Sequence, residues 1–255
     1  MDLSAPVLLG LAAVGAVAGF VDAIAGGGGL LTLPAILLTG MPPHLALGTN
    51  KGQSVFGTAS SLLRYAHSPL LDRRRARIGV VPALAGSAAG VLAVRAIAPA
   101  ALAPLVMVLL AAVAVFFVVR RPPAGGGAHP APQPRPRILA ALVAFALAFY
   151  DGFFGPGMGT FLITIYTLLW HDPLDAASAN AKVVNFCSNL AAAVSFAAAG
   201  LTVWSIALPM GAGQLAGSWL GAHLTVRRGQ GLVRGSVILV SLALLLRLSW
   251  TFLRG

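Results

Sequence analysis

The sequence predicts an all-α integral membrane protein assembled from two copies of one helical unit, and three observations carry that expectation. Of 255 residues, 58% are hydrophobic and only 9% are charged, which is too little polar surface to clothe a soluble globule of this size. Apolar runs recur that suit a hydrocarbon core of about 30 Å, for which a helix needs roughly 20 residues. A motif of Phe, Asp and closely spaced glycines appears once in each half.

The runs are continuously apolar rather than alternating, and hydrocarbon leaves no backbone amide to solvent, so helices rather than a barrel are expected. The first run, 5–25, follows Met1-Asp2-Leu3-Ser4, which lacks the positive start of a cleaved signal, and it is read as a retained helix. A glycine break at Gly26 to Gly29 and a short apolar piece, 30–39, come next, then full helices at 44–66, 77–96 and 100–119. These make a first repeat, 1–120. RRPPAGGGAHPAPQPR is a Pro- and Gly-rich connector, giving a cytoplasmic linker over 121–137. The second repeat, 138–255, runs through 138–154, a break at Gly155 to Gly159, a short piece at 160–170, and full helices at 176–198, 203–222 and 235–253. Each half thus holds about four full transmembrane helices and one short helix after a Gly-rich break.

The duplication is visible residue by residue. FVDAIAGGGG at 20–29 lies over FYDGFFGPGM at 149–158, matching Phe20 with Phe149, Asp22 with Asp151, Gly26 with Gly155 and Gly28 with Gly157. With two extra residues in the second half, LALGTNK at 45–51 lies over AASANAK at 176–182. Five segments per half is an odd number, so the second copy is expected to enter the membrane from the opposite side, as an inverted repeat.

Charge supports this independently. In a soluble chain a net charge of +11 would suggest nucleic acid. Here the arginines cluster between apolar runs, at Arg73, Arg74, Arg75 and Arg77, at Arg120 and Arg121, at Arg135 and Arg137, and at Arg227, Arg228 and Arg234. They read as markers of topology, and nucleic acid is excluded as a partner. The first basic loop is followed by a nearly uncharged one near Pro99, whereas in the second half the uncharged loop at 200–202 comes first. With the basic loops inside, both termini fall outside. The short pieces are the weak point, since about ten residues at 1.5 Å each do not cross the core alone; re-entry or a completed broken crossing both remain open.

Chemistry is expected around the two lysines of the chain, Lys51 and Lys182, which occupy equivalent positions while every other basic residue apart from histidine is an arginine. A lysine in the apolar part of a helix costs about 2.5 to 3.5 kcal/mol on insertion scales. Either each snorkels to the interface or caps freed carbonyls, or together they form an anion site between the halves. The second reading draws on the glycine breaks, where Gly27, Gly28 and Gly29, and Gly157 and Gly159, would leave free N–H groups at the positive end of a helix dipole. Thr49, Asn50, Gln53 and Ser54, with Asn180, Asn185 and Asn189, would complete a cage, and interhelical hydrogen bonding is the alternative. Asp22 and Asp151, the other equivalent charged pair, would be lysine partners, proton carriers, or acceptors for the amides of the breaks. Gly213, Gly217 and Gly221, and Gly86 and Gly90, read as packing ridges. The single Cys187 forms no internal disulfide, the five histidines show no ligand spacing, and no metal or cofactor is expected.

FVDAIAGGGGLLTLPAILLTGMPPHLALGTNKGQSVFGT, together with FYDGFFGPGMGTFLITIYTLLW and NAKVVNFCSNLAA, resembles the sulfite exporter TauE/SafE family of bacterial permeases over nearly the whole chain. The resemblance implies a multi-pass protein of the bacterial plasma membrane that moves sulfite, sulfonates or related organosulfur anions. Pro156 and Met158 depart from an all-glycine second turn, which bears on the cargo more than on the fold. The expected partners are a small anionic solute and the lipid bilayer, and a homo-oligomer is compatible with the sequence. A secondary anion transporter with a midplane site is the leading expectation. A passive anion channel and a non-transporting assembly subunit are the alternatives, and an enzyme is not expected, for want of any placeable catalytic arrangement.

Overall fold

The computed structural model describes residues 4–119 and 136–228, which form nine helices and no strand among the described residues. Helix α1, Ala5–Ala25, starts on a proline in its first turn and stops at Gly26, whose φ of +78° closes the helix with its N–H on Asp22 O. The short pieces form α2, Gly29–Leu37, and α7, Met158–Trp170. Proline again opens α3, Pro43–Ala66, and α5, Pro99–Val119. The remaining helices are α4, Arg73–Arg95, α6, Arg137–Phe153, α8, Leu174–Ala198, and α9, Trp204–Arg228. The expected helix 235–253 and nearly all of the linker lie outside the described residues.

One boundary differs instructively. The sequence expectation leaves Arg73 to Arg77 around a loop, but the Asp72 carboxylate accepts the amides of Arg74 and Arg75 and starts α4 there. An N-cap of this kind is worth about 1 kcal/mol. The arginines are therefore the first turn of a helix, and Arg227 and Arg228 belong to the last turn of α9.

Packing follows the small residues. Gly213, Gly217 and Gly221 on α9 lie on the backbone of Ala12, Ala16 and Phe20 on α1; a Cβ at Gly217 would meet Ala16 O at 1.9 Å. Gly86 and Gly90 on α4 lie in the same way on Phe145 and Phe149 of α6. Both expected ridges are thus contact surfaces. Residue numbers rise together along α1 and α9, and along α4 and α6. They run oppositely along α3 and α8, where Gly48 meets Phe196, Lys51 meets Asn189 and Tyr65 meets Ser178.

The distribution of polarity is that of a membrane protein. Leu9, Val17, Val81, Leu92, Ile138, Leu142 and Val194 face outward, while Lys51, Lys182, Asp22, Asp151, Gln53 and Asn50 are buried. Helices α1, α4, α5 (as Pro99–Phe116) and α8 are each long and apolar enough to cross a bilayer. Helix α3 carries its polar run, Thr49 to Ser54, entirely inside, shielded from lipid by α8 and α9.

Candidate functional site

The two glycine breaks meet at the centre of the fold. A Cβ on Gly26 would lie 2.3 Å from the Gly159 carbonyl carbon, and one on Gly159 would lie 2.5 Å from Gly26 Cα. The backbones touch, so only glycine fits either position. Thr160 Oγ1 fastens the contact by donating to Ala25 O at 2.5 Å. The N-terminal ends of α2 and α7 are thereby brought face to face.

Around this contact the equivalent charged residues pair crosswise. Lys51 Nζ lies 2.7 Å from Asp151 Oδ1, and Lys182 Nζ lies 2.7 Å from Asp22 Oδ2. Each lysine is thus matched by the aspartate of the other half. Their side chains are at most 10% exposed, so the reading in which the lysines snorkel to the interface is excluded. Asp22 fills two of the roles the sequence allowed it, since its Oδ1 also accepts the Gly28 amide at 3.3 Å. Asp151 Oδ2 instead accepts from Ser188 Oγ at 2.6 Å. Lys51 also donates to Asn189 Oδ1 at 3.3 Å.

A small cavity of about 20 Å³ opens beside the Lys51–Asp151 pair, which is room for about one water molecule. Of the expected site residues, Lys51, Asn50, Ser54 and Asn185 reach it from α3 and α8, Gly29, Gly157 and Gly159 from the breaks, and Asp22 and Asp151 from α1 and α6. The amides of Gly29, Gly157 and Gly159 have no acceptor among the described residues.

The other expected residues lie elsewhere. Lys182 is fully buried behind Asp22 and does not reach the cavity. Gly27 and Gly28 are set back in the turn, Gly28 being held on Asp22. Thr49 accepts the Val203 amide at 3.0 Å, and Asn180 accepts the Asp72 amide at 2.8 Å, each pinning the start of a neighbouring helix. These two are equivalent positions with equivalent structural duties.

Sequence reasoning missed Thr58 and Gln214 in the cavity lining. Gln214 is 2% exposed and its Oε1 has no partner among the described residues. Its signal was available: a lone glutamine in the small-residue run GAGQLAG, with apolar Ala83 at the matching place in α4. Arg75 was read as a topology marker only. It is buried, ion-paired to Asp172 in the α7–α8 connection, and stacked 4.6 Å from the Tyr166 ring centroid and 5.3 Å from that of Trp170.

The chain matches the family described as sulfite exporter TauE/SafE over residues 11–248. It is 38% identical to a "Probable membrane transporter protein" of Haemophilus influenzae, over 94% of each chain. It is 33% identical to "Probable membrane transporter protein ORF9" of a Sinorhizobium species, over 97% of this chain and 94% of that one. Against "Probable membrane transporter protein YfcA" of Escherichia coli K12 the identity is 32%, over 92% and 87%. No solved structure matches. The family is one of transporters and not an enzyme class. Buried charge on broken helices, a lipid-facing exterior and a family match along nearly the entire length converge: this chain belongs to the sulfite exporter TauE/SafE family of membrane transporters.

Proposed function

We propose that the chain is a secondary transporter of a small anion, with sulfite, a sulfonate or a related organosulfur anion as cargo, in the bacterial inner membrane with both termini periplasmic. The observation that carries this reading is the crossed pairing of Lys51 with Asp151 and of Lys182 with Asp22, where the N-termini of α2 and α7 meet. In the closed arrangement the four charges balance and the cavity holds about one water. Moving one half against the other separates Lys51 on α3 from Asp151 on α6. The exposed ammonium and the amides of Gly29, Gly157 and Gly159 then present donors to an oxyanion from several sides. The two halves act as inverted repeats about this site; the antiparallel course of α3 and α8, which are counterparts in the repeat, supports that relation. The reaction is translocation, with no bond of the cargo broken.

Counterflow in proteoliposomes tests the reading. Vesicles loaded with unlabelled sulfite are expected to take up external radiolabelled sulfite faster than empty ones, with sulfate, thiosulfate, sulfoacetate and a neutral amino acid compared as internal solutes. Acceleration is expected from one or more of the anions and not from the amino acid. Acceleration by the amino acid alone would reject an anion carrier, and acceleration by no solute would reject sulfite as the cargo.

A further inference from the structure

The two lysine pairs occupy equivalent places in the repeat, yet their surroundings differ in a way that assigns them different work. Asp22 is surrounded by donors that hold no lone pair to spare: the Gly28 amide on Oδ1 and the Lys182 ammonium on Oδ2. The ammonium also donates to the backbone oxygen of Asp22, so this pair is stitched to the end of α1. Among the described residues the groups bonded to that carboxylate are these two donors, and neither can accept a hydrogen bond from a protonated form. Lys182 lies outside the cavity altogether.

Asp151 is placed otherwise. Both it and Lys51 face the cavity, and its second oxygen meets a hydroxyl, Ser188 Oγ, at 2.6 Å. A hydroxyl can reverse its role. Ser188 Oγ is also 3.4 Å from Ala148 O. If Asp151 carries a proton on Oδ2, that O–H donates to Ser188 Oγ, while the serine turns its own hydrogen to Ala148 O. Both protonation states of Asp151 therefore have a hydrogen-bond partner already in place. The charged groups that face it are Lys51 from α3 and, across the cavity, Asp22 from α1; α8 presents Ser188, and α4 presents no ionisable group there.

We propose that Lys182–Asp22 is a fixed clamp and that Lys51–Asp151 is the exchanging pair, opened by one monovalent anion that binds Lys51 together with one proton taken up by Asp151. This rests on the anion-carrier reading and adds the charge class of the cargo and its coupling. The anion replaces the carboxylate at the Lys51 ammonium, and a proton from the water admitted with it forms the Asp151 O–H. No bond of the anion breaks, and the buried site keeps zero net charge before and after. A dianion entering with one proton would leave one charge uncompensated in the low-dielectric core.

Methanesulfonate is the probe that separates the outcomes, because it is monovalent and stays unprotonated near neutrality, so any proton taken up belongs to the protein. Binding to the purified full chain in detergent is measured by calorimetry, and proton uptake by a pH dye in weak buffer. One proton per bound anion is expected, with affinity falling up to about tenfold per pH unit in the alkaline range. Asp151→Asn is expected to bind the anion with no proton uptake and no pH dependence. Asp22→Asn/Lys182→Gln, which leaves no unpaired charge, is expected to keep one proton per anion. Binding without proton uptake in the unmodified chain, uptake that survives in Asp151→Asn, or uptake lost in the double variant would each overturn the proposal while leaving an anion carrier standing. No binding of methanesulfonate by the unmodified chain would overturn the proposal and count against the anion reading as well. Should the double variant fail to fold, the stoichiometry of the unmodified chain and of Asp151→Asn decides.

Discussion

The Lys51 ammonium lies 2.7 Å from the Asp151 carboxylate, and the alignment of the two halves makes this contact the counterpart of Lys182 on Asp22. Each half supplies the charge that the other half leaves unbalanced. Removing one partner strands a buried ion, which costs about 3 to 5 kcal/mol, whereas removing both leaves neutral groups of similar size. Lys51→Gln and Asp151→Asn are each expected to lower unfolding stability in detergent by that order, and the double variant to recover most of the loss. Additive losses in a double-mutant cycle would show that the contact carries no coupling.

The meeting of the breaks makes a second expectation. At Gly26 a side chain suffers twice, from a φ of +78° and from the Gly159 backbone 2.3 Å from where its Cβ would stand. Left-handed backbone costs about 1 to 2 kcal/mol for an L side chain, and overpacking adds about 1 to 3. Gly10 in the same helix has open space around its Cβ position, where alanine gains roughly 0.5 to 1 kcal/mol in helix propensity. Melting in detergent is therefore expected to fall for Gly26→Ala and to hold or rise for Gly10→Ala. Equal effects would mean that the touching backbones do not constrain the fold.

How much of this was legible beforehand depends on the kind of residue. Helix order, both breaks and both glycine ridges follow from patterns a chain must carry to live in lipid, namely apolar runs, Gly at close approaches and Pro at helix starts. Lys51 and Asp151 stood out because buried charge is costly and therefore rare. Which lysine took which aspartate was hidden, because Asp22 is close in sequence to the first lysine and Asp151 to the second, while the pairing is crossed. Thr49 and Asn180 looked like cage residues because they lie near the lysines, but each stands two positions from its lysine, about 160° around the helix, and they turn to Val203 and Asp72. Gln214 was overlooked because it has no charge and no counterpart in the first half.

Arg75 yields a third prediction. Its guanidinium is paired with Asp172 and stacked near Tyr166 and Trp170, a planar arrangement that an ammonium does not reproduce. Arg75→Lys keeps the charge but loses the fork and the stack, so it is expected to lose part of the stability that Asp172→Asn loses, on the order of 1 to 3 kcal/mol for the latter. Limited proteolysis at the 171–173 connection, which this pair ties to α4, is expected to quicken in both variants. A lysine variant indistinguishable from the parent chain would assign Arg75 to topology alone.

Orientation is open to a direct test, because His67 and Gly200 are exposed at opposite ends of the α3–α8 pair. Helix α3 begins beside the 199–203 connection, where Thr49 holds the Val203 amide, and ends at His67. On the His67 end lie Arg73 and Arg74 of α4 and Arg227 of α9, with Arg64 donating to His223 across the two helices. Cytoplasmic ends of membrane helices carry such an excess of arginine. Cys187 is buried, and Cys187→Ser gives a background in which one thiol at a time is introduced. With a membrane-impermeant maleimide added to intact cells, Gly200→Cys is expected to label at once and His67→Cys only after the membrane is opened. The opposite pattern would turn the protein over and place both termini inside, and labelling of both from one side would contradict a transmembrane course for α3 and α8.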